Sequence, residues 1–378
     1  MGEGFGAAAG RPASSRKQRA LRDIPEAAFG AQQLCLFQTF LANTDDQREA
    51  LSNAIDFWDA VPRYSVSRAR MESMRTKDGF LDVLELPFEY GQKQYTARIY
   101  PARIRTSDTA GGGLSYYPSA REELIEHALR KLACDQQSGF LDQSETSGRS
   151  GVRFSLYRLR RELEAQGHAL RYDQLVSGLD ILSLSTIEID SRGGDGEELF
   201  ARSAYLPGLV GVRRHEYDAD REARWFAHFH PLVTQSIQCA SFRQFNYRRL
   251  MSCHTQLARW LLCLLVLKYR QASPLQCFSV RFRTIRRDSG LLEGYARARD
   301  AVAKVDEAWS ELEELGVLSA VDRIEQRGQR MKLEDVNYSV RATLGFAAEQ
   351  KAANRRSSDC RQMPLAFIGD IGRGKREK

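Results

Sequence analysis

One run of the sequence, residues 257–338, constrains the fold more than any other stretch. It begins with the apolar segment Leu257–Arg270, which has the composition of a buried helix. The short arginine-rich segment Phe282–Arg287 follows, and then a candidate amphipathic helix, Glu293–Leu315. Val317–Val340 has the pattern of a β-hairpin that turns around a glycine. The run therefore predicts three helices followed by a hairpin.

The order of these elements is that of a winged-helix domain, and the charge of the region suits DNA. Between Arg243 and Arg299 lie eleven arginines and one lysine but only two carboxylates, a local net charge of +10. Positive charge concentrated in one segment is what the neutralisation of DNA phosphates requires. The alternative is a solvated basic face without a partner. The whole chain is also basic, with a net charge of +7.

In a winged helix, the N-terminal half of the third helix enters the major groove, where arginine can form paired hydrogen bonds with guanine. Arg297 and Lys304 are seven residues apart and share a face of that helix, whereas Arg299 points elsewhere. The preceding arginine-rich helix suits phosphate contacts, and the tip of the hairpin suits the backbone or the minor groove. The candidate DNA-binding residues are therefore Arg283, Arg286, Arg287, Arg297, Arg299, Lys304, Arg327, Arg330 and Lys332.

A second helix-helix-hairpin pattern precedes this one, without any literal sequence repeat. The predicted class is therefore α+β, with two tandem winged-helix domains between disordered basic tails at the N- and C-termini. The expected bounds are 1–45 for the N-terminal arm, 46–218 and 219–346 for the two domains, and 347–378 for the C-terminal tail.

A short apolar peptide, Gln33-Leu34-Cys35-Leu36-Phe37, interrupts the polar N-terminal arm. A few apolar anchors in a flexible arm are typical of a docking peptide that fills a pocket on a partner. Alternatively, the peptide packs on the body of its own chain. Its candidate contact residues are Gln33, Leu34, Leu36 and Phe37.

Taken together, these features resemble the plasmid replication initiators of the TrfA/RepA type, over roughly residues 31–343. Gln33–Phe37 is similar to the peptide through which such initiators bind the bacterial sliding clamp, with Cys35 where serine or aspartate is usual. Pro118–Ala133 resembles the capped helix of the first winged domain, and Arg297–Leu318 resembles the recognition helix. Gln362–Phe367 is a poorer match to a longer clamp-binding peptide.

The resemblance implies that the first domain mediates dimerisation and contacts the DNA backbone, while the second binds repeated sites (iterons) in a replication origin. The implied partners are double-stranded origin DNA, the sliding clamp, the host replicative helicase and initiator, and a second copy of the chain. A winged-helix transcriptional repressor is the nearest alternative, but a repressor has no use for a clamp peptide.

A second alternative is a metal-dependent nicking enzyme that would use His228, His230 and Tyr247. Two alternating histidines can bind a divalent metal, but no third ligand or acidic cluster stands near them except His215. The seven cysteines form no CxxC pair. We therefore expect no catalytic activity, metal or cofactor, and, without a signal peptide or a membrane-spanning segment, a cytoplasmic, DNA-associated protein.

Overall fold

The computed structural model describes residues 44–105, 113–135, 137–142, 148–192, 200–211, 224–329 and 333–362. The predicted docking peptide at Gln33–Phe37 lies outside these residues. The fold is mixed α/β, and its buried apolar side chains form two clusters. We call residues 44–241 the first unit and residues 242–362 the second unit.

The first unit is organised around two four-stranded antiparallel sheets. Its elements are α1 (Asp45–Ala50), β1 (Leu51–Ile55), α2 (Arg68–Met74), β2 (Leu84–Tyr90), β3 (Lys93–Tyr100), β4 (Ala102–Arg105), β5 (Gly113–Tyr116), α3 (Ala120–Ala133), β6 (Gly139–Asp142), β7 (Arg149–Phe154), α4 (Leu156–Ala165), α5 (Tyr172–Leu184), β8 (Thr186–Arg192), β9 (Phe200–Ala204), β10 (Leu209–Val210), β11 (Trp225–His228) and α6 (Pro231–Gln238). The sheet orders are β2-β3-β8-β9 and β10-β11-β7-β6.

Local sequence explains how two of these elements begin or turn. The β2–β3 hairpin turns at Gly91 and Gln92, both with positive φ, as a two-residue hairpin turn requires. Helix α3 begins with the predicted capping box, in which the Ser119 N–H donates to the Glu122 carboxylate at 2.9 Å. The capped helix start that the sequence indicates within Pro118–Ala133 is therefore confirmed. Helix α3 is buried along almost its whole length, which makes it the central helix of the first unit.

The second unit contains the run of elements that the sequence predicts. They are β12 (Phe242–Asn246), α7 (Tyr247–Ser252), α8 (Gln256–Lys268), β13 (Cys277–Arg281), α9 (Phe282–Ser289), α10 (Ala298–Glu314), β14 (Leu318–Arg327), β15 (Leu333–Ala342) and α11 (Leu344–Gln362). Strands β13, β15 and β14 form an antiparallel sheet in that order. Leucines on all sides of α8 are buried, as its uniformly apolar sequence predicts.

Several contacts join the two units. Strand β1 of the first unit pairs with β12 of the second over its whole length. The buried Arg259 guanidinium on α8 donates to the buried Glu123 carboxylate on α3 at 3.0 Å. The Gln256 side-chain amide donates to the Tyr64 carbonyl at 2.7 Å. Charges buried at this boundary are paired, which is the condition for burying them at all.

Two expected boundaries are wrong. Strand β11 pairs with β7, and Trp225 and Ile237 belong to the first core, so the first unit extends well beyond residue 219. Tyr247 also belongs to the first core and Phe245 to the second, so the two units meet across residues 242–251. The tail expected to be disordered from residue 347 is helical to Gln362. Helix α11 packs along β12, burying Ala353, and Arg243 donates to Gln350 at 2.8 Å. These tertiary contacts outweigh the polar composition that suggested disorder.

No helix within the described ranges is both long and apolar enough to cross a membrane.

Candidate nucleic-acid interface

The N-terminal end of α10 presents its cations to solvent. Arg297 is the capping residue just before the helix and is exposed, and the Arg299 and Lys304 side chains are 74% and 47% exposed. The opposite face of α10, which includes Val305 and Trp309, is buried in the second core. The positive end of the helix dipole adds to the charge of the arginines. Arg299 also pairs with Asp300, an acidic residue of the first turn, at 3.4 Å. The three candidate residues are thus held on a rigid element with their side chains outward.

The C-terminal half of α10 has the opposite character. Glu307, Glu313 and Glu314 are exposed there, at the negative end of the helix dipole. Lys304 lies between the two halves and donates to Glu307 at 2.7 Å. A polyanion is therefore attracted to the first turns of α10 and repelled from its last turns.

The three candidate arginines of α9 differ in their partners. The Arg283 side chain is 74% exposed and makes only a long ion pair, 3.8 Å, with Asp335, whereas Arg286 pairs with Glu293 at 3.2 Å. Arg287 binds Glu89 of the first unit at 2.8 Å and its neighbour Asp288 at 2.7 Å. Hydrogen bonds to Asp288 and Glu89 raise the pKa of Arg287. Sequence reasoning treated the three residues alike, but Arg283 is the one most available to a phosphate.

The hairpin β14–β15 extends beside α10. Arg327, at the end of β14, is 46% exposed and binds Glu325 at 2.8 Å. Arg330 and Lys332, the other two candidates at the hairpin tip, lie outside the described residues.

Two features of this surface were missed in the sequence. The buried Asp335 carboxylate on β15 accepts the Arg283 backbone N–H at 3.1 Å, so it caps the N-terminus of α9 from another element. Arg70 on α2 of the first unit reaches Gly294, just before α10, with its Cδ 3.7 Å from where a β-carbon on that glycine would lie. Within the described residues no carboxylate pairs with Arg70. A polar residue inside an alternating strand was a signal for Asp335; nothing local pointed to Arg70.

The turn between α9 and α10 packs directly on the first unit. Asp288 accepts the Glu89 backbone N–H at 3.0 Å, and Gly290 has a φ of +63°. A β-carbon at Gly290 would lie 2.9 Å from the Ser65 β-carbon. The first unit therefore supports the turn that places Arg297 and Arg299.

We expect Gly290→Ala to destabilise the protein by roughly 2–4 kcal/mol, since alanine disfavours a positive φ and its methyl group would overlap Ser65. Gly316→Ala is the matched control, because Gly316 has a φ of +67° but no atom within 4 Å of its added β-carbon. It should lose only about 1 kcal/mol. Denaturant unfolding measures both, and equal losses would contradict a tight contact between the turn and the first unit.

No family model matches the chain, and neither does any curated protein. Among solved structures, the chain is similar to a selenomethionine derivative of domains 2 and 3 of RctB, at 10% identity and a TM-score of 0.42, covering 69% of this chain and 91% of that one. A second structure of RctB domains 2–3 is 11% identical, with a TM-score of 0.40, covering 75% and 98%. The Pi initiator protein in complex with iteron DNA is 11% identical, with a TM-score of 0.32, covering 79% and 99%. At these sequence identities and TM-scores, the three structures assign no role to any residue of this chain.

The residues suggested for a nicking enzyme lie in different surroundings. His228 lies edge-on to Phe140, whereas His230 stacks on Trp58 with 4.2 Å between ring centroids. The Tyr247 side chain is fully buried, and burial raises its pKa well above the usual value. No cluster of three or more His, Cys, Asp or Glu side chains in the described part of the chain is arranged to hold a metal.

Proposed function

We propose that this protein is a replication initiator that binds repeated duplex sites in an origin through its second unit. The observation that carries the proposal is the exposed pair Arg297 and Arg299 at the N-terminal end of α10, with the opposite helix face fixed in a core. Arginine on a rigid helix end can pair with guanine edges in the major groove. The acidic last turns of α10 leave only one end of the helix suited to enter the groove.

In this proposal both units are winged helices. Helices α8, α9 and α10 precede the wing β14–β15, and helices α3, α4 and α5 precede the hairpin β8–β9. Arg283 and Arg327 would bind phosphates on either side of the groove, and Arg70 would supply a backbone contact from the first unit. Arg287 would act indirectly, by holding the turn against Glu89. Dimerisation through the first unit and recruitment of the host helicase and initiator follow from the sequence resemblance and belong to the same proposal.

Footprinting on the DNA that flanks the coding region tests this function. We expect protection of direct repeats of about 17–22 base pairs, each roughly two helical turns. If four or five cations bind phosphates, the logarithm of affinity should fall with the logarithm of salt with a slope of about −4. A shuffled repeat of the same composition is the control, and equal affinity for it would overturn sequence-specific binding.

The proposed sliding-clamp contact distinguishes an initiator from a winged-helix repressor. Gln33–Phe37 supplies the glutamine and apolar anchors of such a peptide. Deletion of residues 33–37 should remove binding to a purified bacterial sliding clamp and leave DNA affinity within about twofold. If clamp binding persists, Gln362–Phe367 is the better candidate; if the full chain never binds the clamp, the repressor is favoured.

A further inference from the structure

We infer that Asp306 is a positioning residue that fixes the hairpin β14–β15 against α10 and thereby sets where Arg327 meets DNA. The DNA part of this inference rests on the proposed function. The packing part stands on the structure alone, and the two can be measured separately.

The Asp306 carboxylate joins three elements. One of its oxygens accepts the Tyr338 hydroxyl of β15 at 2.7 Å, and the other accepts the Arg323 guanidinium of β14 at 2.7 Å. Arg323 and Tyr338 are directly opposite each other in the hairpin. A single carboxylate on α10 therefore binds both strands of the hairpin at the same level.

Among the contacts between α10 and the hairpin β14–β15, the hydrogen bonds of Asp306 are the ones that depend on orientation. Tyr338 is fully buried beside Trp309, with 6.0 Å between the ring centroids, and Val336 and Val340 are buried in the same core. Apolar contacts tolerate sliding and small rotations, whereas hydrogen bonds prefer narrow ranges of distance and angle. Removing Asp306 would also leave the Tyr338 hydroxyl without this hydrogen-bond acceptor at the edge of the core.

The distance from this contact to the hairpin tip is long enough for a small rotation of the hairpin to displace Arg327. Arg327 is four residues beyond Arg323 on β14, a distance of about 13 Å at roughly 3.3 Å per residue. Rotation of the hairpin by about 10° would move Arg327 by roughly 2 Å, more than a hydrogen bond to a phosphate tolerates. The position of the wing relative to Arg297 and Arg299 thus depends on Asp306.

The test compares Asp306→Ala and Tyr338→Phe with the control Asp322→Ala. Asp322 pairs with Arg341 at 3.0 Å on the same hairpin, but it neighbours Arg323 in the strand and so faces away from α10. In the absence of DNA, amide hydrogen exchange in β14 and β15 should quicken at least tenfold in the two test variants and not in the control. On the repeat DNA, hydroxyl-radical protection should be lost at the flank under the wing and kept at the centre. Affinity should fall roughly tenfold, and the salt slope should become shallower by about 0.9 for one lost phosphate contact.

Unchanged exchange in Asp306→Ala, or equal changes in Asp322→Ala, would overturn the positioning role. Faster exchange with a complete footprint would show that the wing does not depend on Asp306 once it is on DNA, and would also contradict the inference. If the wild-type chain protects no repeat, the proposed function fails, whereas the exchange result still decides whether Asp306 holds the hairpin.

Discussion

Replacing Arg297 and Arg299 together with alanine is expected to abolish specific protection of the origin repeats while leaving the fold intact. A well-placed arginine contact with a base contributes about 1–3 kcal/mol of discrimination. Losing two such contacts would lower specific affinity between about 30-fold and about 20,000-fold. Both side chains are exposed, so the free energy of unfolding should change by no more than about 0.5 kcal/mol.

The two single variants separate base recognition from phosphate binding. Loss of a base contact relaxes the preference at one position of the repeat, whereas loss of a phosphate contact weakens binding to all sequences and reduces the salt slope by about 0.9. Lys93→Ala combined with Arg248→Ala removes the same charge from exposed positions on other elements. This control lowers the general electrostatic attraction to DNA by the same amount of charge. A similar loss of affinity for the repeats in both double variants would therefore show that Arg297 and Arg299 do not recognise bases.

The second unit could be predicted from sequence because its signals are local. Burial on one face of α10 repeats at helical spacing, with Val305, Trp309 and Leu312 inward, and an apolar helix such as α8 can only be a core element. Exposed arginines at the start of α10 follow from the same periodicity. The order of helices and hairpin was therefore visible without any tertiary information.

The support of this surface could not be predicted, because it depends on residues distant in sequence. Arg287 was expected to face DNA, but its partner Glu89 lies about two hundred residues earlier in the chain. Asp335 caps a helix that begins more than fifty residues before it. Helix α11 has a polar sequence, and its tertiary contacts, with β12 above all, explain why it is ordered. Pairings of this kind carry no periodic signal in a single sequence.

The protein is also expected to lose roughly 4 kcal/mol of folding free energy between pH 7 and pH 5, because it buries two neutral histidines. Burial, with Arg130 beside it, lowers the pKa of His127 to about 3, and burial, with Arg63 nearby, lowers the pKa of His230 to about 3. In the unfolded chain both titrate near 6.5. Below pH 6.5 both histidines become protonated in the unfolded chain but stay neutral in the folded protein. The free energy of unfolding therefore falls as the pH falls from about 6.5 towards 3. Each histidine contributes about 2 kcal/mol of this loss at pH 5.

The geometry explains why neither ring accepts a proton in the folded state. The Nδ1 atom of His127 lies 3.0 Å from the Arg130 guanidinium, which donates to it, and Nδ1 of His230 accepts the Leu232 backbone N–H at 3.2 Å. Protonation at Nδ1 would replace each of these hydrogen bonds with a clash of two donors, beside a fixed positive charge in the case of His127. Both nitrogens therefore stay acceptors until the surrounding structure opens.

Buried carboxylates do not account for the expected loss of folding free energy between pH 7 and pH 5. Glu126 affects stability only at lower pH, and Glu123 affects it in the opposite direction. Burial would raise the pKa of Glu126, but Arg63 and Arg130 outweigh it and lower the value to about 2, which moves its effect below pH 4.5. Burial raises the pKa of Glu123, so this group adds stability as the pH falls.

Urea unfolding of three variants at pH 7 and pH 5 assigns the loss to its source. His127→Gln keeps an acceptor for Arg130, and His230→Asn keeps a capping side chain for α6, but neither replacement titrates in this range. Each should reduce the difference between the two pH values by about 2 kcal/mol. The double variant, His127→Gln with His230→Asn, should reduce it by about 4 kcal/mol. A difference that persists in the first two variants would mean that the folded protein admits protons at both rings, and that the packing of His127 and His230 opens well above pH 3.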